Sequence, residues 1–123
     1  MNTLTKDFTP EDRVNLSVYY SIQQVAPQEF DPLKAQQGKE IFQHVCLLCH
    51  GADGRGGSEH GFARVAGQKM EFVKLTLKRF RANANDTDPY RKVKRTNQRM
   101  EQVTANLSDA DIDNLANYIA SMK

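Results

Sequence analysis

Two cysteines and a histidine form the most reactive cluster of side chains in this 123-residue sequence. Cys46, Cys49 and His50 follow the spacing C-x-x-C-H, and the chain has no other cysteine. Two thiols one helical turn apart can bond to the two vinyl groups of one porphyrin, and the adjacent histidine can bind its iron. The spacing therefore predicts one covalently attached haem c, tethered by Cys46 and Cys49 and ligated by His50.

Two other kinds of site use the same residue types. A thioredoxin-like redox pair follows a strand in a βαβ unit, and no stretch of this sequence is typical of a strand. A structural zinc site needs four ligands, and Cys46, Cys49 and His50 are too close in sequence to surround a metal alone. Chance occurrence of the spacing is a third alternative. Haem attachment is favoured over all three.

The opposite face of the iron needs a second ligand or a vacancy. Met100 is the preferred ligand, because it lies well after the cysteines in a segment predicted to be irregular, which could wrap to the far side of a haem. A thioether favours Fe(II), so His/Met ligation raises the reduction potential and suits an electron carrier. The less favoured candidates are His44, His60, Met70 and Met122.

Helices must position these residues, and apolar periodicity together with capping patterns predicts four of them. No strand is predicted, so the fold class is all-α. The loops between the helices are the glycine-rich stretch 51–67 and the polar stretch 83–97. The first predicted helix begins at Pro10, with Thr9 as its N-cap. The second spans about 34–45, the third spans about 68–82, and the fourth begins at the capping residue Ser108.

Gly38 interrupts the second predicted helix on the side that carries Phe42. A glycine inside a helix costs about 1 kcal/mol relative to alanine. Such a cost is easiest to explain if another helix crosses closely at that point.

Composition excludes several classes of protein. No apolar run approaches the roughly 20 residues that a membrane span needs, and the polar N-terminal residues contain no secretory apolar region. Two cysteines cannot build a disulfide framework. The apolar share is 39%, which is low for a chain that must bury a core by side chains alone. A large apolar porphyrin would supply the missing interior.

The net charge of +2 conceals a basic segment. Residues 69–99 contain ten Lys and Arg against three Asp and Glu, a local charge of +7. We expect this segment to dock an acidic partner; a solvated surface is the alternative. Nucleic acid is not the expected partner, since no recognition motif accompanies the charge. The candidate docking residues are Lys92, Lys94, Arg95 and Arg99.

The start and the end of the chain share a partial repeat. With Met1 laid on Met100, a single offset pairs six positions, including the cap residues of two predicted helices. Chance similarity of two amphipathic helices is the alternative. The repeat predicts that residues 1–33 are a helix and linker resembling the tail of a preceding domain, and that 34–123 form the haem domain. The pairs are Phe8/Leu107, Thr9/Ser108, Asp12/Asp111, Asn15/Asn114, Leu16/Leu115 and Tyr19/Tyr118.

The segment 38–123 resembles a class I cytochrome c domain of the cytochrome c4 and c553 type. This resemblance implies an all-α class I fold of four to five helices around one haem, with His50 and Met100 as axial ligands. It also implies that the first and last helices cross with Gly38 and Phe42 against Leu115 and Tyr118. The strings that carry it are GKEIF from 38, CLLCHG from 46, DGRG from 53, AGQ from 66, FR from 80, Met100, LSDADI from 107 and LANYIAS from 115.

Two stretches depart from this family's pattern. The proline that usually supplies a carbonyl to orient the haem-binding histidine is absent from residues 62–65, although a backbone carbonyl is still available there. The segment 83–99 is longer and more basic than the family's usual link to the methionine.

The resemblance implies a single-haem electron carrier between redox proteins, and not an enzyme, although it could be a domain or subunit of an oxidoreductase complex. The alternatives are a haem-based sensor with a weak or open distal site and the electron-entry domain of a larger multi-haem enzyme. A second cytochrome domain or a homo-oligomer is a further partner that this interpretation allows. Haem attachment in bacteria is completed outside the cytoplasm, so the expected location is the periplasm, with an export signal removed or truncated.

Overall fold

The computed structural model of the chain describes residues 5–23, 26–57, 59, 61–85 and 97–122. These residues are helices joined by loops, and their only extended pairing is one bridge between Gly57 and Phe62. The all-α prediction is confirmed. Six helices have their bounds within this part of the chain: α1 Pro10–Ser21, α2 Pro32–Val45, α3 Leu47–His50, α4 Met70–Ala84, α5 Gln98–Thr104 and α6 Asp109–Ser121.

The core lies where α2, α4 and α6 meet. Each of these helices carries apolar residues at helical spacing, so each presents one apolar stripe that has to be buried. Helix α6 contributes the most, with six buried residues on thirteen. The buried cluster comprises Phe42, Val73, Leu77, Ile112, Leu115, Ala116 and Ile119.

Helices α2 and α6 approach each other at Gly38, as the sequence predicts. A Cβ at this position would collide with the carbonyl group of Asn114 and lie 2.9 Å from Cβ of Tyr118. One turn further along α2, the ring of Phe42 meets the ring of Tyr118 edge to face, with centroids 5.3 Å apart. Gly38 is therefore required by the close crossing of two helices.

The N-termini of α1 and α6 have the same cap. In α6 the Ser108 hydroxyl accepts a bond from the backbone N–H of Asp111, whose carboxylate accepts one from the N–H of Ser108. In α1 the residues Thr9 and Asp12 form the same capping box. Each box satisfies N–H groups that have no partner inside the helix. The two predicted helix starts are confirmed.

Ion pairs tie α2 and α4 to α6. The Asp113 carboxylate lies 2.6 Å from Nζ of Lys34 on α2 and 2.6 Å from Nζ of Lys74 on α4. Bonds from the two lysines, Lys34 first, hold the pKa of Asp113 below its usual range. Arg81 of α4 pairs with Asp109 at the start of α6. The acidic end of the chain thus neutralises part of the basic segment.

The linker before α2 is fastened to the rest of the fold. Gln28 donates its side-chain amide to the carbonyls of Gly67 and Gln68, at 3.1 and 2.9 Å, and accepts a bond from the N–H of Met70. The N–H of Asp31 donates to the side-chain oxygen of Asn117 in α6. The linker is therefore docked on the loop before α4 and on α6.

The structure differs from prediction at the start of α2, at both ends of α4 and around Met100. Helix α2 begins at Pro32, inside the stretch predicted as linker, because Asp31 caps it and accepts bonds from the N–H groups of Leu33 and Lys34. Met100 was expected in an irregular segment, and it lies in α5, which is capped by Asn97. A helix of seven residues is too short to show apolar periodicity, and this is why the sequence pattern missed it.

Candidate functional site

The C-x-x-C-H residues lie where α2 gives way to the four-residue helix α3. Cys46 ends α2, and its carbonyl accepts bonds from the N–H groups of Cys49 and His50 at 3.2 and 2.9 Å. Gly51 then ends α3 with a φ of +75°, a conformation that favours glycine. The two thiols are thus held one helical turn apart, as the spacing predicts, and neither is in a disulfide.

Cys46 packs against the buried core cluster. Burial, and secondarily the neighbouring Cys49, raises the pKa of the Cys46 thiol to about 11. At neutral pH the sulfur is therefore uncharged, as it would also be in a thioether to a porphyrin. The environment of Cys46 fits a neutral, apolar attachment.

The His50 imidazole is buried, with 8% of its surface exposed. Its Nδ1 lies 2.8 Å from the carbonyl oxygen of Ala63. A carbonyl can only accept, so Nδ1 carries the hydrogen and donates it, which leaves Nε2 as the ring nitrogen that can bind a metal. This is the tautomer and the outer-shell bond that metal-binding histidines use. The expected carbonyl is therefore present although the stretch 62–65 lacks proline.

The loop that carries Ala63 is tied back to the motif and to α6. The N–H of Gly56 donates to the carbonyl of His50, and Gly57 and Phe62 exchange backbone bonds of 3.2 and 3.1 Å. Gly56 has a φ of +70°, and a Cβ there would collide with the carbonyl of Phe62. The N–H of Gly67 donates to the carbonyl of Ile119. His50 is therefore oriented by a loop anchored at both ends.

Met100 is partly buried and packs against the cluster that Cys46 also contacts. Both backbone groups of Met100 are hydrogen bonded. Its N–H donates to Oδ1 of Asn97, and its carbonyl accepts from the hydroxyl of Thr104. Thr104 is wholly buried, and sequence reasoning gave it no role. The repeat could have indicated it, because Thr5 occupies the corresponding position.

The other sulfur candidates have packing roles. Met70 and Met122 also pack against the core cluster. The Met122 sulfur lies so close to Gly54 that a Cβ there would be 2.6 Å from it. His44 is exposed on α2, and His60 lies outside the described residues.

Arg99, adjacent to Met100, contacts the loop of Ala63. Its guanidinium carbon lies 5.8 Å from the ring centroid of Phe62, a cation–π distance. This contact joins the helix of Met100 to the loop that orients His50, a link that the linear sequence does not show. Of the predicted docking residues, Arg99 is exposed; Lys92, Lys94 and Arg95 lie outside the described part of the chain.

The described residues give no support to the zinc alternative. Within the ranges given above, no three His, Cys, Asp or Glu side chains form a group that could hold a metal ion. The same ranges contain no helix long and apolar enough to cross a membrane.

Comparisons with known proteins agree with this geometry. A protein-family model described as cytochrome c matches residues 35–123. Cytochrome c4 of Thiocapsa roseopersicina is 28% identical over 99% of this chain and 65% of its own length. Cytochrome c-554(547) of Halothiobacillus neapolitanus is 34% identical over 72% of this chain and 97% of its own length.

A solved structure shows the same fold. The reduced recombinant cytochrome c4 of Pseudomonas stutzeri matches with a TM-score of 0.72 and 28% identity, covering 98% of this chain and 64% of that one. The chain spans less than two thirds of the length of the curated cytochrome c4 relatives that it matches.

The residues present fit a haem c. Two free thiols stand one turn apart, and a buried imidazole next to them is hydrogen bonded through Nδ1, which leaves Nε2 available as a ligand. With one C-x-x-C-H motif, the chain provides for one covalently attached haem. On the family match, the fold and this fit, the chain belongs to the cytochrome c family, as a class I, cytochrome c4-like member.

Proposed function

We propose that this chain is a single-haem electron carrier whose iron is ligated by His50 and Met100. The observation that carries the proposal is the His50 imidazole, buried beside the two cysteines and held through Nδ1 by the Ala63 carbonyl. A histidine oriented in this way can bind a metal only through Nε2, because its other ring nitrogen is already hydrogen bonded. The haem, when bound, supplies one-electron chemistry between Fe(III) and Fe(II).

The chain's own residues serve a carrier in three ways. Cys46 and Cys49 make the attachment permanent, so the cofactor need not be gripped by packing alone. The Ala63 carbonyl fixes the histidine ring and raises its basicity as a ligand. Met100 would give the iron a second protein ligand, a soft thioether, which favours Fe(II) and raises the potential. With both His50 and Met100 as ligands, the iron would have no open position for a substrate, so the proposed role is transfer and not catalysis.

Met100 is proposed as the distal ligand because its backbone is fixed by two hydrogen bonds and because it packs on the core cluster that Cys46 also contacts. It shares the core cluster with Cys46, and its helix is joined to the loop of His50 by the contact between Arg99 and Phe62. Met70 and Met122 share the cluster as well, so burial alone does not select Met100. The three methionines therefore form a matched set for an experiment.

The experiment compares Met100→Ala with Met70→Ala and Met122→Ala in the haem-loaded protein. Methionine ligation of Fe(III) gives a weak far-red charge-transfer band. We expect Met100→Ala alone to lose this band. We expect its reduction potential to fall by on the order of a hundred millivolts, within the roughly 0.8 V over which axial ligands set haem potentials. Optical spectra and redox titration measure both.

Two results would contradict the ligand assignment. The band could survive in Met100→Ala, or it could disappear in one of the other two variants. If the parent protein lacks the band and binds carbon monoxide readily, this result would instead support the sensor alternative, with an open distal position. A chain that carries no haem by pyridine haemochrome and intact mass would contradict the whole proposal.

We further propose that the redox partner is acidic and that the protein works in the periplasm. The first proposal rests on the basic segment 69–99, of which Arg99 is exposed on the helix that carries Met100. The second rests on haem attachment, which in bacteria is completed outside the cytoplasm. Within the described ranges no helix could anchor the chain in a membrane by spanning it.

A further inference from the structure

Helix α5, which carries Met100, is attached to the last turn of α4. Among the described helices, α5 packs mainly on α4. Three polar side chains at the end of α4 reach α5 or the turn that follows it. These side chains are Arg81, Asn83 and Asn85.

The Arg81 guanidinium makes the strongest of these contacts. Its Nη1 donates to the carbonyl of Leu107 at 2.7 Å, and its Nη2 donates to the carboxylate of Asp109. The side chain is 24% exposed, so both bonds are partly shielded from water. A planar guanidinium can hold two acceptors in fixed directions at the same time. Arg81 therefore fixes the turn that links α5 to α6.

Asn85 joins the C-terminal ends of the two helices. Its side-chain amide donates to the carbonyl of Arg81 at 3.1 Å and to that of Ala105, the C-cap of α5, at 3.4 Å. The last carbonyls of a helix lack partners inside it, so these bonds satisfy groups that would otherwise depend on water. Asn83 adds a bond of 3.4 Å to the carboxylate of Glu101.

These bonds bear on Met100 because α5 is short and internally fixed. Its seven residues form about two turns. The backbone N–H of Met100 is bonded to the N-cap Asn97, and its carbonyl is bonded to Thr104 in the last turn. A segment of this kind moves as a unit, so a displacement of Met100 also displaces the end of the helix. That end is where Arg81 and Asn85 hold it.

We propose that Arg81 and Asn85 are positioning residues for the distal ligand. Their bonds to the carbonyls of Leu107 and Ala105 hold α5 on α4, and these bonds must break before Met100 can leave the iron. The inference rests on the proposed function, since it takes Met100 as the ligand. It also separates Arg81 from partner docking, although Arg81 lies in the basic segment 69–99.

The experiment uses imidazole as a probe. Imidazole competes with a methionine for Fe(III), so its affinity measures how firmly Met100 is held. The haem-loaded parent, Arg81→Ala and Arg79→Ala are titrated with imidazole and followed by optical spectra. Arg79 is the matched control, because it is an exposed arginine of the same helix. Both variants remove one positive charge, so a general effect of net charge would appear in both.

We expect imidazole to bind about tenfold more tightly to Arg81→Ala than to the parent, because the loss of a hydrogen bond to a charged group is of this order. Arg79→Ala should bind imidazole as the parent does. Asn85→Ala should strengthen binding by about threefold, as the loss of a neutral bond does. In a Met100→Ala background, Arg81→Ala and Arg79→Ala should bind imidazole equally, since no methionine remains to be held.

Arg81→Lys keeps the inference testable if Arg81→Ala does not take up haem. A lysine keeps the charge beside Asp109 but lacks the fork that also reaches Leu107. We therefore expect imidazole to bind this variant more tightly than the parent, by less than in Arg81→Ala.

Three outcomes would overturn the inference. Imidazole could bind the Arg81 variants no more tightly than the parent, even where denaturant titration shows a loss of stability. Arg79→Ala could match Arg81→Ala, or the effect of Arg81→Ala could persist without Met100. Failure of the proposed function has a different signature, because the far-red band would then survive in Met100→Ala. If Met100→Ala loses the band and the Arg81 variants bind imidazole like the parent, only the positioning inference fails.

Discussion

The crossing of α2 and α6 depends on one missing side chain. We predict that Gly38→Ala lowers the free energy of unfolding by about 3 kcal/mol, because the new Cβ meets the backbone carbonyl of Asn114, which cannot move aside without displacing α6. Denaturant titration of the haem-loaded protein measures the loss. Gly57→Ala is the control, since nothing lies within 4 Å of a Cβ there. Equal effects at the two glycines would refute the close crossing.

The sequence was most informative about individual residues. The spacing of Cys46, Cys49 and His50 predicted that the two thiols lie one helical turn apart beside the imidazole, as they do, and haem attachment at these residues stays a prediction. The partner of His50 could be placed only within a stretch, 62–65, since any backbone carbonyl can accept its hydrogen. The contact between Arg99 and Phe62 had no sequence signal, because it joins segments far apart in the chain through side chains of ordinary type.

At the scale of helices, the duplicated cap permits a paired test. Ser108→Ala should destabilise the protein by about 1 kcal/mol, because the cap starts a helix with six buried residues. Thr9→Ala removes the same bonds from α1, which has none buried, and should leave the main unfolding transition unchanged. Thermal unfolding distinguishes the two. A comparable loss for Thr9→Ala would mean that α1 stabilises the haem domain directly.

A second prediction concerns the pairing of Asp113 with Lys34 and Lys74. The pKa of this carboxyl is lower in the folded chain, so its stabilising effect is complete above its ordinary pKa of about 3.9 and is lost as pH falls through the lower, folded value. Asp113→Asn should therefore cost about 1 kcal/mol at pH 7. The difference from the parent should shrink below about pH 4.

Denaturant midpoints at pH 7 and pH 3 measure this dependence. Asp7→Asn, at an exposed position outside the three packed helices, is the control. A cost for Asp113→Asn that is the same at both pH values would show that the effect is steric and not electrostatic.

Long helices were predicted well and short ones were missed. The four predicted helices exist with boundaries displaced by about two residues, because caps and apolar stripes mark them in the sequence. Helix α5 is held by local side-chain bonds: Asn97 caps it, and the buried Thr104 closes its last turn on the carbonyl of Met100. Local periodicity carries no information on such a segment.

At the scale of the whole molecule, the distribution of charge leads us to a prediction about how the protein associates with its redox partner. Replacing Lys92, Lys94 and Arg95 together by Glu should slow electron transfer to an acidic partner and flatten its dependence on ionic strength, since opposite charges steer the encounter. The described part of the basic segment contributes less than its composition suggests, because Lys74, Lys78 and Arg81 are paired with acids.

Stopped-flow kinetics at several salt concentrations would test this. The control carries Glu at Lys6, Arg13 and Lys39, which changes the net charge equally at positions outside the segment. If both triple variants reduce the rate of electron transfer equally, net charge alone governs the encounter and the segment is not a docking face.

Because Gln28 is bonded to the loop before α4, the chain between α1 and Gln28 is a tether of fixed length. Six residues separate Ser21, the end of α1, from Gln28, and they can span at most roughly 20 Å. Helix α1 is therefore confined to the immediate neighbourhood of the haem domain. Its effective concentration there is in the millimolar range that short linkers impose, so an intrinsically weak contact between α1 and the haem domain would still be occupied most of the time.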